Sequence, residues 1–255
     1  MTNEVAIEIQ NGHLTTPNLS SDLMIEEGGV MISGAWLFHD EIVPKERAMY
    51  ENPFPETEVV DGSPEQYKAI EKSVRDLLDA IHVNWDDPNY TKTPERVARA
   101  YLDYWLSGYG RDPKDEITTF PNFSGGDDLV MVKDMRWYSL CAHHMAQIEG
   151  YAAIAYVPDK QLLGLSKLGR ILEIYSRRFQ MQERIGAQVA DTLMELIKPK
   201  AVMVVLYNAT HGCMSSRGIK MHEANTTTSA IRGHFREPEG AALRKEAMDL
   251  LNLKT

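Results

Sequence analysis

The stretch AVMVVLYNATHGC, residues Ala201–Cys213, decides how this chain is to be read. From Ala201 to Asn208 it is an almost unbroken apolar run, long enough for one strand and too short for a typical helix, so it reads as a buried strand. Just beyond it stand His211 and Cys213; if the strand continues, both side chains point to the same side. The chain has only two cysteines, and the other opens Cys141-Ala142-His143-His144. Cys141 and His144 have the three-residue offset of a zinc knuckle, so one tight turn can direct both at one ion. The fold must then bring the end of the Ala201–Asn208 strand to the Cys141 loop.

Zinc held by two thiolates and one imidazole keeps a fourth position for water, and it lowers the pKa of that water to about 7. Cys141, His144 and Cys213 are the candidate ligands, which points to a hydrolase working through activated water. His211 would face what the metal faces, within reach for proton transfer, and His143 is a spare imidazole beside the metal loop. Spacing leaves two alternatives open: a closed structural zinc with His143 or His211 as fourth ligand, and a Cys141–Cys213 disulfide.

Outward from that stretch, Leu129–Val132 and Tyr151–Val157 read as strands, and Thr226–Ile231, rich in β-branched residues, as another. Helices are predicted over about Ser166–Arg178, Gln182–Ile197 (closed by Pro199) and Leu243–Leu251. Upstream, Ser63-Pro64-Glu65-Gln66 is a capping box with proline at the first helical position. Tyr67, Ile70, Val74, Leu77, Leu78 and Ile81 follow it as one apolar stripe, for a core or a subunit contact. A second helix starts at Thr93-Pro94 and ends near Gly108. This order predicts an α+β domain with helices laid on one face of an antiparallel sheet. We divide the chain into an acidic extension, 1–62, and a body, 63–255, helical over 63–110 and sheet-forming over 111–255.

At 255 residues and 43% hydrophobic composition, the chain can bury a full core in one domain plus an extension. The net charge is −10, and residues 1–62 account for all of it, with twelve acids against Lys45 and Arg47. The neutral body argues against a general nucleic-acid binder, which would show a basic face. No stretch approaches the roughly 20 apolar residues of a membrane helix, and the N-terminus lacks the basic and apolar regions of a secretory signal. Two cysteines make no disulfide framework, which favours a reducing cytoplasm. Residues 1–62 lack sustained periodicity and read as partly disordered, with a strand or turn docked onto the body.

A second chemical signal is Gly164-Leu165-Ser166-Lys167-Leu168-Gly169-Arg170. Ser166 reads as an N-cap, which sets Lys167 and Arg170 on one side of the first turn. Cations there oppose the helix dipole, an arrangement that makes sense if an anion such as phosphate binds there. The plainer reading is that both extend into water. Gln182-Glu183-Arg184 opens the next helix. Glu183 is either ordinary dipole complementation or a carboxylate accepting two parallel hydrogen bonds, as a guanine edge offers. Arg217, four residues after Cys213, is a further cation near the metal.

These motifs, Cys-x-His-His, Gly-Leu-Ser-Lys-x-x-Arg, Gln-x-Gln-Glu-Arg, His-x-Cys-Met followed by Arg-Gly, and Thr-Thr-Thr-Ser, occur in the order seen in the GTP cyclohydrolase I family, which the chain resembles over roughly residues 63–252. The resemblance implies the tunnelling fold, in which sheets of several subunits close into a barrel, and a toroidal homodecamer with active sites at subunit boundaries. It implies zinc on Cys141, His144 and Cys213, with His211 as proton donor and acceptor at purine N7. His143 would be a second catalytic imidazole near the ribose, which Ser166 contacts. Lys167, Arg170, Arg217, Arg96 and Arg99 would hold the triphosphate, and Gln182 with Glu183 the guanine edge. The implied reaction on GTP adds water at C8, opens the ring, releases formate and yields 7,8-dihydroneopterin triphosphate.

One departure stands out: relatives usually read Cys-Glu-His-His, whereas this chain has Ala142. Loss of a hydrogen bond behind a metal ligand can cost about 10- to 100-fold in metal affinity or activity. A catalytically silent nucleotide-binding oligomer is therefore the alternative. A zinc nucleobase deaminase would need His-x-Glu paired with Pro-Cys-x-x-Cys, a pairing absent here. A nitrile reductase of the same fold would use a cysteine nucleophile and NADPH without a zinc triad.

Overall fold

A computed structural model describes residues 60, 62–123, 125–126, 128–217 and 220–252, with the backbone of five short strands between residues 8 and 38. The chain forms two compact units, Met1–Pro53 and Phe54–Thr255. In the first, Glu8–Gln10 pairs with His13–Thr15, and Met24–Glu26, Gly29–Ile32 and Ala35–Phe38 form an antiparallel meander. The partial disorder expected for the rest of this segment lies outside the described residues.

The second unit opens with helix α1 (Pro64–Ala80), where Ser63 Oγ accepts from the Gln66 N–H and Gln66 Oε1 accepts from the Gly62 N–H. The Ser63 half of the cap read from the sequence is in place, and the return bond of Gln66 reaches the N–H one residue before the cap. The α1 stripe is only partly covered: Tyr67, Ile70, Val74 and Leu78 are half-buried, whereas Leu77 and Ile81 are 61% and 62% exposed, which makes that end of the stripe a candidate subunit contact rather than core. Helix α2 (Thr93–Arg99) runs on into a wider π-helical turn, Ala100–Trp105. A short helix α3 (Pro113–Glu116), capped by Asp112, precedes strand β1 (Thr119–Pro121).

The sheet that carries the site contains β2 (Val130–Cys141), β3 (Gln147–Val157), β5 (Phe179–Gln180), β6 (Ala201–His211) and β7 (Thr226–Gly233), in the order β5-β2-β3-β6-β7. Outside it, β4 (Gln161–Leu163) pairs with β1. Four of the strands are antiparallel neighbours, but β5 runs parallel to β2, so the sheet is mixed, not wholly antiparallel. Two residues of parallel pairing suffice because α4 (Leu165–Ser176) leads the chain straight back to that edge.

Helices α4 and α5 (Gln182–Ile197) pack on one face over Val202, Val204 and Leu206. The opposite face is also covered: Ala201, Met203 and Val205 lie under Phe235 and Ala247, the latter in the C-terminal helix α7 (Ala241–Asn252). The expectation of helices on one face is thereby corrected. Consecutive residues of a strand point to opposite faces, so a run apolar at both parities needs cover on both sides. Full burial of each Val, Leu, Met or Phe among these side chains contributes about 1.5–3 kcal/mol. No helix among the described residues is long and apolar enough to cross a membrane.

Candidate functional site

The β2–β3 connection is a tight turn. Cys141 N–H donates to Ala146 O at 2.7 Å, and the N–H groups of His144 and Met145 both donate to Cys141 O, at 3.3 and 2.8 Å. Met145 takes φ 54°, the left-handed conformation that closes the loop. Within it, His144 Nδ1 lies 3.6 Å from Cys141 Sγ. The backbone N–H of Ala142 donates to Gln180 O at 3.0 Å, so the main chain anchors the loop at the position where the sequence departs from the expected glutamate.

Cys213 reaches this loop through two local devices. The first is a bulge in β6: Tyr207 faces Tyr151 and Thr210 faces Glu149, so one residue of β6 is extra, and Asn208 lies there at φ 49°. Without it His211 would share the face of Met203 and Val205. With it, Ala209 and His211 turn toward the face that α5 covers. The second device is Gly212, where a Cβ would stand 3.1 Å from Gln147 O and 3.4 Å from Ala146 Cβ. A side chain there would hold the strand end off the metal loop. The strand stops at His211 and Cys213 lies in a short helix, α6 (Gly212–Ser215), so the two do not share a strand face as alternation along a continued strand predicts.

The donor atoms of Cys141, His144 and Cys213 all lie within 4.8 Å of one another. A tetrahedral zinc with sulfur at about 2.3 Å and nitrogen at about 2.0 Å sets its ligand atoms roughly 3.5–3.8 Å apart, so modest side-chain closure completes the set. Two thiols and an imidazole are soft donors that suit such an ion, and the residues therefore fit. Cys141 is buried while His144 is exposed, which leaves one side open. Both cysteines are free thiols, not a disulfide. Burial, then the shared hydrogen bond with Cys141, pushes the Cys213 thiol up. His143 is exposed, its ring centroid 6.1 Å from that of His144.

His211 is half-buried at the mouth of the sheet. Its Nε2 lies 2.7 Å from Gln182 Oε1, at the first turn of α5. Burial lowers its pKa, and the Glu183 charge partly offsets this. Gln182 is itself 1% exposed, and its Nε2 donates to Leu206 O at 3.2 Å. Glu183, one residue on, is exposed.

Among the predicted anion contacts, Arg217 donates from Nη1 to His144 Nε2 at 2.8 Å and so joins the metal cluster. The cap of helix α4 lies two residues earlier than predicted, with Gly164 rather than Ser166 as its N-cap. The Lys167 N–H donates to Gly164 O at 2.8 Å, which starts the first turn there. Ser166 is thus exposed inside the first turn, and Arg170 stands in the second. Arg170 Nη1 pairs with Glu116 Oε2 at 2.9 Å, and Arg111 Nη2 holds the other oxygen at 2.8 Å. The Arg111 hydrogen bond, then that of Arg170, lowers the Glu116 pKa to about 2. Sequence reasoning missed this pair of cations around one carboxylate; Asp112-Pro113, a cap followed by a first-turn proline, was the signal for α3, which carries Glu116. Arg99 pairs with Glu95 at 2.9 Å, and Arg96 is exposed. Among the described residues, no hydrogen bond or ion pair joins Ser166, Lys167, Arg170, Arg96 or Arg99 to the metal cluster.

The model of a family described as GTP cyclohydrolase I matches residues 70–252. The chain is 45% identical over 184 residues to the GTP cyclohydrolase 1 of Thermobifida fusca, covering 71% of this chain and 86% of that protein. Over 186 residues it is 44% identical to the enzyme of the same name from Streptomyces avermitilis (72% and 90% covered). Against that of Thermoanaerobacter pseudethanolicus the identity is 45% over 186 residues (72% and 96% covered).

Proposed function

Since the chain belongs to the GTP cyclohydrolase I family, we propose that it hydrolyses GTP at C8 of the purine, releasing formate and forming 7,8-dihydroneopterin triphosphate. The observation that carries this reading is the convergence of the Cys141, His144 and Cys213 donor atoms within 4.8 Å, on the loop that His211 and Arg217 border. These three side chains would hold zinc, which when bound supplies Lewis-acid activation of water. His211 gives a proton to purine N7, which makes C8 electrophilic; that proton stays on the formamide nitrogen, the proton released by the attacking water recharges His211, and the hydroxyl proton at C8 passes to N9 as the C8–N9 bond breaks. His143 and Ser166 serve the ribose. Glu183, exposed at the start of α5, accepts from the guanine N1–H and 2-amino group.

Lys167, Arg170, Arg217, Arg96 and Arg99 hold the triphosphate. Arg217 alone of these contacts the metal cluster within one chain, which supports a site completed by neighbouring subunits in a toroidal decamer built from the tunnelling fold. The exposed α1 stripe at Leu77 and Ile81 supplies one apolar surface for such an assembly. We place the enzyme in the cytoplasm, at the first step of a folate, pterin or deazapurine route.

Metal analysis joined to a formate-release assay on GTP tests the reading. Zinc together with formate is the expected result; metal without formate would refute it. Cys213→Ser should lose metal and activity together, whereas His211→Ala should keep metal and lose ring opening.

A further inference from the structure

We propose that Gln182 is a positioning residue for His211, holding that imidazole with its proton on Nε2 and Nδ1 turned to the substrate, rather than a contact to the guanine edge. The inference rests on the reading of His211 as the proton donor at N7. Gln182 is 1% exposed, so a base could reach its amide only by opening the core. Its Nε2 faces two backbone carbonyls, Leu206 O of β6 at 3.2 Å and Thr226 O of β7 at 3.5 Å. An amide nitrogen only donates, and those acceptors fix which way the amide points. Its Oε1 must then face His211 Nε2, at 2.7 Å.

A carbonyl oxygen only accepts, so Nε2 of His211 has to carry the hydrogen. Nδ1 is the lone-pair atom of the neutral ring and the second N–H of the charged one. It is thus the nitrogen that exchanges a proton with a substrate in either state. The partner of one ring nitrogen commonly fixes what the other does. Here the amide is itself fixed by two strands of the sheet, so the orientation of His211 is a property of the fold.

Kinetics of Gln182→Met, which keeps length and loses the acceptor, test the assignment. The expected outcome is a fall in kcat of about 10- to 100-fold, the usual cost of losing a supporting hydrogen bond, with KM for GTP changed by no more than about twofold. Selectivity for GTP over inosine triphosphate, which lacks the 2-amino group, should stay at the wild-type value. A raised KM with selectivity lost would overturn the proposal in favour of a base contact.

The wild-type protein supplies a second test that needs no folded Gln182 variant. Solid-state 15N spectra of histidine-labelled protein at pH 8, assigned by the signal missing in His211→Ala, should show Nε2 protonated and Nδ1 bare; the reverse pattern sinks the inference. Absence of formate release by the wild type would instead strike the functional reading, and the nitrogen spectrum would still decide the tautomer.

Discussion

Replacing Glu116 by glutamine removes one negative charge from between two guanidinium groups and leaves the side chain its size. Glu116 is 20% exposed, with Arg111 at 2.8 Å on one oxygen and Arg170 at 2.9 Å on the other. Those hydrogen bonds hold its carboxyl at about 2, against 4.5 for a free glutamate. At 1.36 kcal/mol per unit, such a displacement sets a ceiling of about 3 kcal/mol. Solvent screening lowers it, because Arg170 is 54% and Arg111 32% exposed. Two pairs of that kind at up to about 1 kcal/mol each bring the expected loss for Glu116→Gln to about 1–1.5 kcal/mol. The folded pKa lies below the unfolded one, so this stability is fully present above pH 4.5 and is lost as pH falls toward 2. Urea unfolding of both proteins should therefore give a gap that is constant from pH 7.5 to about 5.5 and narrows below about 4.5. Equal midpoints at pH 7, or a gap that widens on acidification, would refute the reasoning.

Gly108→Ala would set a Cβ 2.1 Å from Ile174 O and 2.8 Å from Arg177 O; both are backbone atoms, so the expected cost is about 3 kcal/mol, the upper end for overpacking, and an unchanged Tm would contradict it. Asn208→Val should lose about 1–2 kcal/mol, since a β-branched residue resists the left-handed conformation, and should slow formate release by disturbing the face His211 occupies. Asn208→Gly should do neither, and identical behaviour of the two variants would remove the bulge from the account. Lys167→Ala should weaken binding of GTP far more than of guanosine; calorimetry giving equal weakening would end its phosphate role.

Where the sequence was legible, local chemistry and tertiary packing agreed. The Ser63 cap and the helix over Gln182–Ile197 lie where the pattern puts them, because caps and 3.6-residue stripes are local signals. Strand ends failed in a consistent way. The first strand reads as ending at Val132 and the third at Asn208, yet both run on, to Cys141 and His211. Register shifts occur at those points, with Asp134 at φ 59° and Asn208 at φ 49°. Asp and Asn are turn residues in a linear reading; inside a paired strand the same tolerance of left-handed φ makes a bulge. The start of the second strand was hidden for a related reason. Gly150 breaks the pattern because a Cβ there would lie 2.9 Å from Ala209 Cα, on the strand that carries the other bulge.

The site divides along the same line. Which atoms could hold a metal follows from donor chemistry, and the two cysteines with their adjacent histidines pointed to the three side chains whose donor atoms converge. Which partner each remaining group has does not follow, since the contacts span 29 residues for Gln182–His211, 54 for Arg170–Glu116 and 73 for Arg217–His144. The bulge at Asn208 connects the two halves. Side-chain parity along a strand inverts with each residue inserted or removed, so a β6 one residue shorter would turn His211 to the face of Met203 and Val205, away from Gln182. It would also draw Gly212 back from its 3.1 Å approach to Gln147 O, and Cys213 with it. A single left-handed residue, read from the sequence as the end of a strand, thus sets the placement of both the His211 imidazole and the Cys213 thiol.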